Sequence, residues 1–230
     1  MRGRNGFTLI ELMIVVTIIS ILTAIAIPSL ISSRISANET SAIATLRNIA
    51  SAQVQFQATA KVDVDGDGAG EFGFFRELAG ATPLRIDPAG NLGTVPLSPA
   101  ILPGSFRPDA NLGMRAHSGY AFRIRLPADD GFGVAERPAG TPLLFPIDAD
   151  LSETNWTCYA WPLAAGQSGV RTFFIAQTAD VLSTDDPAPR AVFGPRGGAA
   201  FLPGGLIDSI TGTIAFSATG RDGNLWRRTQ

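Results

Sequence analysis

The sequence holds a single cysteine, Cys158, and a single histidine, His117, in 230 residues. One cysteine excludes an intrachain disulfide, and the two residues together supply too few nitrogen and sulfur ligands for a zinc centre. A Cys–His nucleophilic pair is formally available. Strand alternation, however, puts Cys158 on one face with Trp156 and Ala160, the setting of a small buried thiol. His117, in a glycine-flanked loop, reads as a surface residue. Clustered positive charge is also missing: 18 basic residues stand against 20 acidic ones, a net charge of −2. No basic face for nucleic acid is expected. No period of 20–50 residues recurs, which excludes a solenoid. Glycine and proline are scarce in one region. Of 25 glycines only Gly3 and Gly6 precede Gly66, and of 16 prolines only Pro28 precedes Pro83. One long helix is therefore permitted from Phe7 to about Lys61, with a single interruption.

What fills that region is an apolar run from Phe7 to Ile27. It is about 31 Å long as a helix, enough for one membrane span. Arg2 and Arg4 precede it and the next positive charge is Arg34, so the positive-inside rule puts the N-terminus in the cytoplasm and the bulk of the chain outside. The run contains one charge, Glu11. A carboxylate in such a segment is expensive and calls for a partner. The obvious partner is an amine created by cutting between Gly6 and Phe7. It would be mostly protonated at neutral pH, with a reference pKa near 7.7–8.0, and would sit at the positive end of a helix. Glu11 lies about 6 Å along the axis from that amine. It could neutralise its own amine or that of a neighbouring subunit, and the spacing leaves both open. Two plainer readings stand beside this one. Ala24-Ile25-Ala26 has the form of a signal-peptidase site, although the apolar run exceeds the usual 7–15 residues. Alternatively the run is a simple signal anchor, with Glu11 tolerated near the interface.

Gly6-Phe7-Thr8-Leu9-Ile10-Glu11 followed by about twenty apolar residues resembles the processing site of type IV pilins and of type II secretion pseudopilins. The resemblance covers about the first thirty residues. It implies that a prepilin peptidase cuts the Gly6–Phe7 bond and methylates Phe7, and that Glu11 takes part in assembly by meeting a neighbour's amine. Removal of the leader would leave 224 residues with a charge of about −4. Pro28 also stands where pilins commonly have a proline, and mid-helix it should kink the chain near Ala24–Ile27. The chain departs from the family in lacking a C-terminal disulfide and in having Ser20 where a glycine is frequent. The organisation implied is a leader (1–6), a transmembrane half-helix (7–27), an amphipathic half-helix (28–61) and an extracytoplasmic β-rich domain (62–230). The fold class is α+β, a long kinked helix on an antiparallel sheet. The function implied is that of a structural, non-enzymatic subunit of a filament or pseudopilus, with other pilin-like subunits, the prepilin peptidase and the inner membrane as partners. The competing class is a membrane-anchored extracytoplasmic binding or enzymatic domain that uses the helix only as a tether.

Beyond Pro28 the pattern becomes amphipathic. Ile31, Ile35, Ala42, Leu46, Ile49 and Phe56 form a stripe, with Arg34, Asn38, Glu39, Arg47 and Asn48 mostly elsewhere. The helix runs out in a polar loop in which Asp63, Asp65, Asp67 and Glu71 match positions 1, 3, 5 and 9 of an EF-hand-type Ca²⁺ loop, with Gly68 at position 6. Phe74 stands where that loop would need a bidentate glutamate, and a plain glycine-rich turn is the alternative. Glu71 to Pro108 reads as irregular structure with short elements, because six prolines between Pro83 and Pro108 exclude long helices and central strands. Strands are expected at Tyr120–Leu126, Asn155–Trp161 and Arg171–Gln177, and a weaker one at Thr213–Ser217 before an Arg221-Asp222-Gly223-Asn224 turn. Phe122, Ile124 and Leu126 should share one face, with Arg123 and Arg125 behind. Asn155-Trp156-Thr157 has the glycan-acceptor form, although a strand-start role serves equally well. Trp156, Tyr159 and Trp161 read as core rather than as a sugar platform.

Overall fold

A computed structural model describes residues 7–107, 113–138, 141, 143–186 and 194–229. Gly6 lies outside the described residues. Helix α1 runs unbroken from Leu9 to Ala58 with Pro28 inside it. Pro28 has no N–H, so the Ala24 carbonyl loses its usual i+4 donor. Thr8 caps the start of the helix. Its end comes three residues before the expected Lys61: the Thr59 hydroxyl donates to the Phe56 carbonyl and Ala60 turns to φ 44°.

After α1 the chain forms a short helix α2 (Phe75–Leu78) and a hairpin of β1 (Pro83–Arg85) and β2 (Leu92–Pro96). These are short elements of the kind expected between Glu71 and Pro108. Then come β3 (Arg115–His117), β4 (Tyr120–Pro127), β5 (Gly133–Ala135), α3 (Ala149–Thr154), β6 (Thr157–Pro162), β7 (Thr172–Ala176), β8 (Leu182–Thr184), β9 (Ala218–Thr219) and β10 (Leu225–Arg228). They make an antiparallel sheet in the order β3-β4-β6-β7-β8-β10-β9, with β5 on the far end of β4. Its centre is fixed in register by rows of large side chains. Phe122 faces Ala160, which faces Phe173; Ile124 faces Cys158, which faces Ile175. The three main strands stand within two residues of their expected limits. Thr213–Ser217 is not a strand: Ile214 makes one bridge to Phe201, and the edge of the sheet is formed instead by β9 and β10 around the expected Arg221–Asn224 turn.

Both faces of the sheet are covered. On one face Phe122, Ile124, Leu126, Cys158 and Ile175 pack beneath Ala42, Leu46, Ile49 and Phe56 of α1. The other face carries Tyr159, Phe174 and Leu182 against Phe201, Ile210 and Trp226. Arg123 is therefore buried rather than facing solvent. The helix stripe is also shorter than its sequence pattern. Ile31 is exposed and Ile35 half-buried, and burial begins at Glu39. Flanked by the buried Thr45, Ala50 and Ala52, the central line Glu39, Ala42, Leu46, Ile49, Gln53 and Phe56 steps alternately by three and four residues, the spacing of one helical face. Two members of that line, Glu39 and Gln53, are polar.

Candidate assembly site

At the start of α1, the Thr8 N–H and hydroxyl both donate to Glu11 Oε2, at 2.9 and 2.7 Å, and the Glu11 N–H donates to Thr8 Oγ1 at 3.3 Å. This capping box satisfies backbone donors that the first turn cannot pair internally. From here to Arg34 every residue of the helix is exposed, including sixteen large apolar side chains from Phe7 to Ile31. Burying each is worth about 2 kcal/mol, so on the order of 30 kcal/mol is available to whatever covers them. That exceeds the net stability of a typical domain, about 5–15 kcal/mol. The helix is long and apolar enough to cross a membrane. Thr17, Ser20 and Thr23 return their hydroxyls to the carbonyls four residues back, which leaves no free hydroxyl donor among them.

Higher up, the polar members of the stripe bind the head through its backbone. Glu39 Oε1 accepts from the Val170 and Arg171 N–H groups at 3.0 and 3.2 Å, and Oε2 pairs with the Arg171 guanidinium at 2.7–2.8 Å. The Asn38 amide donates to the Ser168 carbonyl at 2.8 Å. Gln53 exchanges two hydrogen bonds with the backbone of Gly73, at 2.7 and 2.9 Å, and Gln57 donates to the Glu153 carbonyl. Gly73 allows this approach: a Cβ there would lie 2.7 Å from the Phe56 ring.

The acidic loop after α1 is organised by its own backbone. Asp63 accepts from the N–H groups of Gly66 and Gly68, and Asp67 from that of Ala69. Glu71 leaves the series altogether; it is buried, ion-paired to Arg85 at 2.8 Å and hydrogen-bonded to Ser152 and to the Val64 N–H. The EF-hand-type set drawn from spacing therefore does not assemble as one shell. Asp65 and Asp67 instead meet Asp150 and Glu153 of α3, with one oxygen from each residue within 4.8 Å of the others. Partial burial and the charges of Asp67, Asp65 and Asp150 hold the Glu153 carboxyl above the usual range. Four hard oxygen donors suit Ca²⁺.

Comparison with known proteins bears on the spine first. The family model of the prokaryotic N-terminal methylation motif matches residues 1–27. The chain is 47% identical over 57 residues to the type IV wide pilus major component PilA4 of Thermus thermophilus, covering 25% of this chain and 44% of that protein. It is 41% identical over 85 residues to the type IV major pilin protein PilA of Myxococcus xanthus, covering 37% and 38%. Through its N-terminal motif and these two partial matches the chain is similar to type IV pilins. It spans less than half the length of these two relatives. A further model, described as a protein of unknown function (DUF2950), matches residues 23–186, and the chain belongs to that family. No solved structure matches.

In this pilin-like chain the other sequence-derived candidates take structural places. Cys158 is fully buried and its thiol pushed up by desolvation. His117 ends β3 against the Phe106 ring, with centroids 5.9 Å apart. Trp156, Tyr159 and Trp161 are core residues. The Asn155 amide donates to Thr154 Oγ1 and the Leu151 carbonyl at the end of α3, and Thr157 is wholly buried. Sequence reasoning missed the roles of Glu39 and Gln53. Their positions within the alternating three–four spacing were the available signal.

Proposed function

We propose that this protein is the structural subunit of a type IV pilus-like filament, processed at Gly6–Phe7 by a prepilin peptidase, methylated on Phe7 and assembled through α1. The observation that carries this reading is the wholly exposed apolar half-helix from Phe7, whose one acid, Glu11, stands one turn from the residue that processing would make N-terminal. The subunit waits in the inner membrane with its N-terminus in the cytoplasm, then joins a bundle in which neighbouring helices replace lipid. Glu11 meets the ammonium of an adjacent Phe7, and that pairing sets the stagger between copies. A pilus is favoured over a secretion pseudopilus because the two relatives above are named as pilus subunits. The Asp65, Asp67, Asp150 and Glu153 quartet is proposed as the place for Ca²⁺, in preference to the series Asp63 to Glu71. The test of the assembly reading joins N-terminal mass spectrometry to one variant. The wild type should begin at N-methylated Phe7. Glu11→Ala should be inserted and cut normally and yield few or no filaments. An intact Met1, cleavage after Ala26, or normal filaments from Glu11→Ala would overturn it.

A further inference from the structure

The head contains charge that assembly does not use. Arg85 is buried between Glu71 and Glu77, and Arg76 reaches Glu136 with its Nε at 3.1 Å while its N–H donates to the same carboxylate at 3.2 Å. Glu71, Glu77, Arg85 and Glu136 are each at most 6% exposed. Between them lies a cavity of about 50 Å³, lined by Arg76, Glu77, Thr82, Arg85 and Glu136, with Leu143 among its apolar walls. Three buried polar atoms of these lining residues have no partner among the described residues: Thr82 Oγ1, Arg85 Nε and Glu136 Oε2. Orphaned buried polar atoms are costly. A cavity that holds a water needs roughly 10–15 Å³ and two to four polar partners. This one meets both conditions.

We infer that the cavity is a hydrated proton-binding site, in which a few waters bridge Thr82 Oγ1, Arg85 Nε and Glu136 Oε2 and Glu136 is protonated in the folded head. Charge balance among the directly ion-paired groups supports it. Three buried carboxylates, Glu71, Glu77 and Glu136, are ion-paired with two guanidinium groups, the buried Arg85 and the nearly buried Arg76, and a proton on Glu136 makes this set of five neutral. Arg137, beside Glu136, is only half-buried, and its carbonyl accepts from the Arg76 guanidinium. Desolvation pushes the Glu136 carboxyl up to about 8, with the Glu77 charge adding to the rise and Arg76 opposing it. The waters give the proton a route that a dry pocket would not.

The consequence is a stability that falls with pH where most carboxylates have finished titrating. Between the ordinary glutamate range and about pH 8 the folded head binds one more proton than the unfolded chain, so stability drops across that window and is level above it. The experiment uses the full chain in detergent micelles. The ¹³C carboxyl resonance of Glu136 should titrate near pH 8. The wild-type melting temperature should fall by on the order of 5 °C more than that of Glu136→Gln between pH 5 and 8.5. A water–protein cross-relaxation peak should appear at Arg85 Hε. A Glu136 midpoint near 4–5, equal pH slopes in the two proteins, or an Arg85 Hε with no water contact would overturn the inference. The resonance titration decides it even where Glu136→Gln fails to fold.

Discussion

The two halves of α1 share one backbone and have opposite surroundings. From Leu9 to Arg34 the helix is the most apolar part of the chain and every position is exposed; from Glu39 to Ala58 it is far more polar and carries the buried face of the head. Burial within this protein therefore does not track hydropathy. The lower half is built for a solvent other than water. The upper half is built for one docking pose, in which Glu39 and Gln53 select the partner backbone and Leu46, Ile49 and Phe56 supply the burial.

The sharpest way to break that comparison is one kind of truncation made in each half. Phe56→Ala should cost about 3–5 kcal/mol through lost burial and a cavity, lowering the melting temperature of the head by roughly 10 °C. Ile14→Ala should leave that temperature unchanged. Equal effects in a thermal melt would mean that the halves are not independent. Next in size is Glu39→Gln, which keeps the acceptor for the Val170 and Arg171 N–H groups and removes the charge facing the Arg171 guanidinium. Hydrogen bonds to charged groups are worth about 1.5–3 kcal/mol, so a fall of several degrees is expected. It should exceed the effect of Asn38→Ala, which removes a single neutral bond. The smallest effect is at the acidic quartet. Asp65→Asn with Asp67→Asn relieves like-charge repulsion and should raise the melting temperature slightly in chelator. Added Ca²⁺ should raise that of the wild type and not that of the double variant. A wild type indifferent to Ca²⁺ removes the metal proposal.

How much of this could be read from the sequence depended on whether the information was local. Gly6 to Glu11 is a linear signal, and the long helix followed from missing glycine and proline. Phe122, Ile124 and Leu126 alternate as a half-buried strand should, so β4 was legible. Its reverse face was not. Arg123 and Arg125 looked outward because the cover comes from residues 195–226, a glycine-rich stretch with little periodicity; Arg125, for instance, donates to the Pro195 carbonyl at 2.9 Å. β10 was missed because Arg227 and Arg228 hide its strand character. In the acidic loop, spacing grouped Asp63 and Glu71 with Asp65 and Asp67. Folding regrouped them: Glu71 goes to Arg85, and Asp150 and Glu153 arrive from α3 about eighty residues later. Neighbours in sequence were legible, whereas partners brought together by the fold were not.

The continuity of α1 has a mechanical meaning. A pull along the helix axis enters at one end and leaves at the other through 50 residues of backbone, about 75 Å of coil, without crossing the sheet. The head hangs on that rod through Asn38, Glu39, Gln53 and Gln57, whose bonds lie side by side and resist sliding together rather than opening one after another. Tension would stretch the exposed lower half first, because the upper half, through Leu46, Ile49 and Phe56, is part of the core of the head.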